Sequence, residues 1–69
     1  MRVILIAPPT SEAPRRTEID ATSVPLIGEM VVLQGYALFV ERRHLDVDCG
    51  VATWHVGLTD HHPSGWAKP

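Results

Sequence analysis

Residues 29–44 of the chain read EMVVLQGYALFVERRH, and this stretch decides the fold. Two apolar runs, MVVL and ALFV, flank the dipeptide Gln34-Gly35. A two-residue connection that contains Gly is typical of a β-hairpin, because Gly adopts a positive φ at no steric cost. The sequence therefore predicts one strand over Glu29–Leu33 and a return strand over Tyr36–His44.

The two-residue turn also predicts which hairpin residues share a face of the sheet. The expected cross-strand pairs are Met30 with Phe39, Val32 with Ala37, and Val31 with Leu38. Because successive side chains of a strand point to opposite faces, the first two pairs share one face and the third lies on the other. The sequence leaves open which of these two sets faces outward.

Three further strands are predicted outside the hairpin, over Arg2–Ala7, Arg16–Ala21 and Val51–Leu58. No window of 11 or more residues has the apolar periodicity of a helix. The segment Pro8–Pro14 is expected to be a loop, because prolines cannot donate to a strand ladder. We expect Asp46–Gly50 to be a polar turn. Residues 1–58 then form a single β-barrel domain, and residues 59–69 form a C-terminal tail.

Continuous apolar runs indicate strands that are covered on both faces, whereas a sheet with one wet face would alternate. No helix is available to cover the second face. We therefore expect an all-β fold, a small, five-stranded, partly open barrel in antiparallel meander order. Its predicted core anchors are Leu5, Val31, Leu33, Phe39 and Trp54. Truncation of Phe39 to Ala is expected to cost about 3–5 kcal/mol.

Residues 24–31, Val24-Pro25-Leu26-Ile27-Gly28-Glu29-Met30-Val31, have the form V-P-x-x-G-E-x-V. A glycine turn, an aromatic-containing strand and the sequence His44-Leu45-Asp46 follow. This pattern resembles the one in small bacterial and phage β-barrel proteins of SH3-like type, over about residues 24–46. The resemblance implies a small barrel and a phage or mobile-element origin, and it implies no catalytic residues.

Composition limits the functions open to the chain. It has 69 residues, with 6 Lys+Arg against 8 Asp+Glu and a formal net charge of −2. Binding to a phosphate backbone needs clustered positive charge, and only Arg15-Arg16 and Arg42-Arg43 cluster, so nucleic acid is not the expected partner. The apolar run Val3–Ala7 is far shorter than the ~20 residues of a membrane span. We expect a cytoplasmic protein, with no membrane partner and with Cys49 reduced.

Five residues of the types that bind metals fall within nineteen positions: His44, Cys49, His55, His61 and His62. Cys49 is the only cysteine, so the compact two-cysteine spacing of a zinc motif is absent. The strand pairing expected around the Asp46–Gly50 turn places His55 near Val40 and about 13 Å from His44. A small barrel has room inside only for its own side chains. We therefore expect no metal, no cofactor, no catalytic residue and no enzymatic activity.

Candidate interaction residues lie in the hairpin, at its basic end and in the tail. Met30 and Val32 belong to the set that forms an apolar patch if it faces outward. Arg42 and Arg43 form a candidate basic tip. Trp66 is either an anchor for a partner protein or a plug for the open end of the barrel, and the sequence leaves both readings open.

The function expected from these observations is that of a non-catalytic protein–protein interaction module. The resemblance suggests a phage or mobile-element protein that binds and modulates a host protein in the host cytoplasm. A structural virion or assembly component and a small nucleic-acid-binding barrel are the alternatives. A two-fold homodimer through the hairpin is the simplest way to bury an outward apolar patch. A foreign partner, or the tail with Trp66, would also cover it.

Overall fold

A computed structural model describes residues 1–61 of the chain. These residues form five strands and no helix: β1 (Arg2–Ile6), β2 (Arg16–Asp20), β3 (Met30–Leu33), β4 (Tyr36–Asp48) and β5 (Val51–Thr59). The strands make one sheet in the order β2-β1-β5-β4-β3, which curls into a half-barrel. The predicted all-β, five-stranded, barrel-like class is confirmed. None of the described residues belongs to a helix that is long and apolar enough to cross a membrane.

The sheet is mixed, so the expected antiparallel meander order is wrong. β1 pairs antiparallel with β2 but parallel with β5, and β2 and β3 lie at opposite edges. Residues 21–29 carry the chain from one edge of the sheet to the other. The physical reason lies in the composition of the strands. β1 reads RVILI and takes an interior position, where its apolar side chains are covered, whereas the charged β2 remains at an edge.

The core lies on one side of the sheet, which we call the inner face. Its buried residues come from β1, β3, β4, β5 and the loop after β1: Val3, Leu5, Ala7, Ala13, Leu33, Leu38, Val40, Val56 and Leu58. Of the predicted anchors, Leu5 and Leu33 are buried. Val31 and Trp54 pack against the core but are only half-buried. Phe39 is also half-buried, and its place in the register puts it on the opposite side of the sheet, which we call the outer face.

Two hairpin turns set the register of β3, β4 and β5. Gln34 and Gly35 have φ values of 49° and 88°, and Cys49 and Gly50 have φ values of 50° and 79°. Two positive φ values in a two-residue connection are typical of a type I′ turn. The first turn confirms the predicted hairpin. The second shows that the expected five-residue turn over Asp46–Gly50 is wrong, because β4 continues through Asp48.

The shorter second turn changes the pairing of the two histidine-bearing strands. His55 lies opposite His44, and Val40 lies opposite Leu58. The expected position of His55 near Val40 is therefore wrong by several residues. A bulge between Val40 and Arg42 adds Glu41 to β4 and shifts the register once more. Because of this extra residue, the side chains after Glu41 lie on the opposite faces from those that regular alternation would give them.

Candidate interaction surface

An apolar patch lies on the outer face of the β3–β4 hairpin. Met30 pairs with Phe39 and Val32 pairs with Ala37, as the sequence predicts. The alternative set is inside, because Leu38 is buried in the core. We call Met30, Val32, Ala37 and Phe39 the hairpin patch. Met30 and Val32 expose 61% and 60% of their surface, and Ala37 is also exposed.

The motif before β3 forms a turn that is hydrogen-bonded to β4. The Glu29 N–H donates to the Leu26 carbonyl over 3.0 Å, closing a turn in which Gly28 has a φ of 93°. The Gly28 N–H then donates to the Val40 carbonyl, and the Val40 N–H donates to the Glu29 carbonyl. Two residues of one strand thus oppose one residue of the other, which is a β-bulge with its Gly in the left-handed region.

The side chains of this motif complete the turn and include two exposed apolar residues. The Glu29 carboxylate accepts a hydrogen bond from the Leu26 N–H. This bond holds the carboxylate against its own turn. Leu26 and Ile27, in the middle of the motif, are each 57% exposed. Sequence reasoning did not single out these two residues, although their position in a turn between Pro25 and Gly28 is a signal of exposure.

The two arginines of the predicted basic tip point to opposite faces. Arg42 is exposed on the outer face and lies over Gly57, where an ideal Cβ would sit 2.8 Å from its Cγ. Its guanidinium is 3.6 Å from the Glu41 carboxylate. Because the bulge at Glu41 precedes both arginines, Arg43 is on the inner face with its pairing partner Val56. The residues Arg42, Arg43 and His44 therefore do not form one basic surface.

Arg43 is held by contacts within the chain. Its Nη1 donates to the carbonyl oxygens of Val24 and Pro25 over 3.4 and 3.3 Å. Its guanidinium also lies over the Trp54 ring, 5.3 Å from the centroid. The side chain thus ties the loop of the motif to the inner face of the sheet. These contacts indicate a structural role for Arg43.

Two histidines meet on the outer face. The rings of His44 and His55 stack with centroids 4.9 Å apart and planes within 1°. The His55 Nε2 lies 3.5 Å from an Asp46 carboxylate oxygen. Cys49 is at the tip of the β4–β5 hairpin, five residues along the chain from His44, or about 17 Å. No three or more His, Cys, Asp or Glu residues within residues 1–61 are grouped so as to hold a metal ion.

An open cleft of about 420 Å³ adjoins these residues, at the end of the sheet nearest the β4–β5 turn. Arg2, Asp46, Asp48, Thr53 and His55 contribute to its lining. Arg2 is already paired there with Glu18, at 2.8 Å. The cleft is a depression on the outer face, outside the half-barrel. Its lining residues share this face with the hairpin patch but lie at the opposite end of β4.

The remaining sequence-derived candidates lie elsewhere. Trp66 and His62 are outside residues 1–61, the part of the chain that the structure describes. His61 is exposed beside Asp60, with 3.3 Å between the imidazole Nε2 and the carboxylate. No protein-family model matches this chain, and no curated protein or solved structure matches it either.

Proposed function

We propose that this chain is a non-catalytic protein–protein interaction module and that its hairpin patch contacts the partner. The observation that carries the proposal is the exposure of Met30 and Val32 side by side on the outer face. Ala37 of the same patch is exposed as well, and Phe39 is half-buried. Contiguous apolar surface on a small soluble protein marks an interaction site, because leaving it in water is unfavourable.

The proposed partner is a host protein and the proposed setting is the host cytoplasm, with this chain encoded by a phage or mobile element. This part rests on the V-P-x-x-G-E-x-V pattern of residues 24–31. Nucleic acid is the less favoured partner, because Arg43 is engaged inside the fold and Arg42 is beside Glu41. The role of Trp66 as a second anchor stays a prediction.

The test is affinity capture from host lysate with the full chain and two lysine variants. Met30→Lys puts a charge into the hairpin patch. Val47→Lys is the matched control, because Val47 is also 61% exposed but faces the inner side, opposite Ala52. We expect the wild type and the Val47→Lys variant to retain the same discrete protein and the Met30→Lys variant to lose it.

Circular dichroism and thermal melting of both variants check that the fold is kept. Two results would contradict the proposal. One is that the wild type retains no specific protein. The other is that the Met30→Lys and Val47→Lys variants retain it equally, which would move the contact away from the hairpin patch.

A further inference from the structure

β3 is an edge strand of the sheet formed by residues 1–61. Its turn into β4 determines which of its backbone N–H and C=O groups face the open edge. Leu33 and Tyr36 flank the two-residue turn, so they form a hydrogen-bonded pair. Bonded and non-bonded pairs alternate along an antiparallel ladder, so Val31 also bonds to β4. Met30 and Val32 therefore direct their N–H and C=O groups away from β4, toward the edge.

The backbone groups at the other end of β3 alternate in the same way between β4 and the open edge. The Val40 N–H donates to the carbonyl of Glu29 over 3.0 Å, so the Glu29 carbonyl points toward β4. Glu29 and Val31 are two residues apart and point the same way. The residue between them, Met30, must point to the open edge.

The other edges of the sheet carry charged residues, which oppose pairing with a second chain. The charged positions of β2 and of the part of β4 beyond β3 are Arg16, Glu18, Asp20, Glu41, Arg42, Arg43, Asp46 and Asp48. β3 reads MVVL, with no charge and no proline. Of the edges formed by the described residues, this uncharged one is the best suited to strand addition.

We propose that β3 pairs antiparallel with β3 of a second copy of this chain, about a two-fold axis at Val31. Met30 of each copy then lies opposite Val32 of the other, and each such pair exchanges two hydrogen bonds. Both residues are on the outer face, so the two sheets continue with the same face outward. A shift of one residue would turn the second copy over and place its inner face on the outer side.

The charges near β3 permit this register. Glu29 is the charged residue next to the strand, and the two-fold axis places its two copies at opposite ends of the paired segment. At about 3.4 Å per residue, they lie about 14 Å apart along the strands. The carboxylate is also directed to the Leu26 N–H of its own chain. The pairing therefore brings no like charges into contact.

The size of the edge sets the strength of the dimer. Four residues give a contact about 14 Å long, which is smaller than the ~1,200–2,000 Å² of a standard interface. We expect reversible association with a Kd of about 10–100 μM. The pairing needs no foreign protein. Its consequence for the proposed function is that the two hairpin patches become one continuous apolar surface across a ten-stranded sheet.

Sedimentation equilibrium of the purified full chain, from about 5 to 500 μM, tests the dimer. We expect the wild-type mass to rise from 7.6 kDa toward twice that value. Val32→Pro removes the N–H that points to the second copy and leaves the bonds to β4 intact, as proline is tolerated at such edge positions. We expect this variant to stay near 7.6 kDa, with Kd raised at least about tenfold.

Val47→Pro is the matched control. Val47 is 61% exposed, against 60% for Val32. Asp48 and Val51 flank the second turn and form a hydrogen-bonded pair, so the N–H of Val47 points away from β5. This variant places the same proline at another edge of the sheet, and we expect it to dimerise like the wild type.

Amide hydrogen exchange provides a readout that needs no variant. In the dimer, the amides of Met30 and Val32 gain partners, so their exchange should slow severalfold as the wild-type concentration rises. The amide of Val31 is bonded to β4 in both states and should change less. This comparison keeps the proposal testable even if Val32→Pro fails to fold.

Three results would overturn the dimer: a wild-type mass of 7.6 kDa throughout, loss of association in Val47→Pro instead of Val32→Pro, or Met30 and Val32 amides that do not respond to concentration. The capture experiment reports separately on the foreign partner. A wild type that stays monomeric but loses capture on Met30→Lys rejects the dimer and keeps the partner. A wild type that dimerises through β3 but captures nothing supports the dimer and rejects the foreign partner.

Discussion

At the scale of single residues, Gly28 and Glu29 show how the motif before β3 works. Gly28 has a φ of 93°, which a residue with a Cβ adopts only with strain. Glu29 accepts the Leu26 N–H and so completes the same turn. A turn at Gly28 is consistent with the sequence, because Gly adopts a positive φ without strain. The bulge against Val40 was not derivable from sequence, because it depends on which strand lies beside the motif.

Arg43 gives the first prediction at this scale. Arg43→Met should lower the free energy of unfolding by about 1–2 kcal/mol, because it removes the bonds to the Val24 and Pro25 carbonyls and the contact with Trp54. Arg42→Met is the control and should change it by less than about 0.5 kcal/mol, because that side chain is exposed. Urea unfolding measures both. Equal effects would contradict the structural role of Arg43.

Glu18 gives a second prediction, on the dependence of stability on pH. A hydrogen bond from Arg2 lowers the pKa of the Glu18 carboxyl below its ordinary value, and the charges of Arg2 and Arg16 add to this effect. A carboxyl whose pKa is lower in the folded than in the unfolded state stabilises the fold above its unfolded pKa. That contribution is lost as the pH falls through the folded pKa.

Glu18→Gln should therefore flatten the fall in unfolding free energy below about pH 5. The effect is small, because Glu18 is at an exposed edge. Glu12→Gln is the control, since the Glu12 carboxylate receives a long hydrogen bond of 3.5 Å from the Tyr36 hydroxyl. Urea titrations at several pH values measure both. A wild-type slope retained in Glu18→Gln would refute the assigned role of the Arg2–Glu18 pair.

At the scale of elements, the β3–β4 hairpin was predictable and its orientation was not. The two-residue turn at Gln34-Gly35 gave the correct register. Both faces of the hairpin are apolar, so the sequence contains no signal for which face lies inside. The rest of the sheet decides this, because Leu38 packs into the core with residues from β1 and β5.

The orientation of the hairpin yields a prediction on Leu38 and Phe39, which are neighbours in β4. Leu38→Ala should cost about 2–5 kcal/mol, because Leu38 is 1% exposed and its truncation leaves a cavity. A domain of this size has about 3–5 kcal/mol of stability, so the variant should be largely unfolded. Phe39→Ala should cost less, because Phe39 is half-buried on the outer face. Thermal melting gives the order, and a larger loss for Phe39→Ala would contradict this placement.

The β4–β5 hairpin was harder to predict than the first. Its turn is Cys49-Gly50, and Cys49 has a φ of 50°, which is uncommon for a residue with a side chain. The polar residues Asp46 and Asp48 suggested a longer turn, but both continue β4. Paired strands on both sides of this turn hold Cys49 in that conformation, so tertiary pairing overrides the local preference.

At the scale of the whole molecule, the register determines the prediction for metals. His44 and His55 stack, but Cys49 lies at the hairpin tip, five residues or about 17 Å from His44. We expect no stoichiometric zinc in untagged protein, measured by elemental analysis. One zinc per chain, lost in both a His55→Ala and a Cys49→Ala variant, would show that these residues converge after all.

The sequence by itself determined the all-β class, the strand positions to within a few residues, and the register of the first hairpin. These properties depend on local chemistry: apolar runs, the absence of helical periodicity, and glycines that permit positive φ. Met30 and Val32 were candidates on the same basis.

Only the tertiary structure decided the mixed strand order, the pairing of β1 with β5, and the face on which each hairpin residue lies. It also separated Arg42 from Arg43 and brought His44 onto His55. These features depend on which strands become neighbours. The free energy gained by burying the apolar β1 between two strands, with the charged β2 at an edge, determines which strands are neighbours. This free energy depends on the whole sheet and not on any local stretch of sequence.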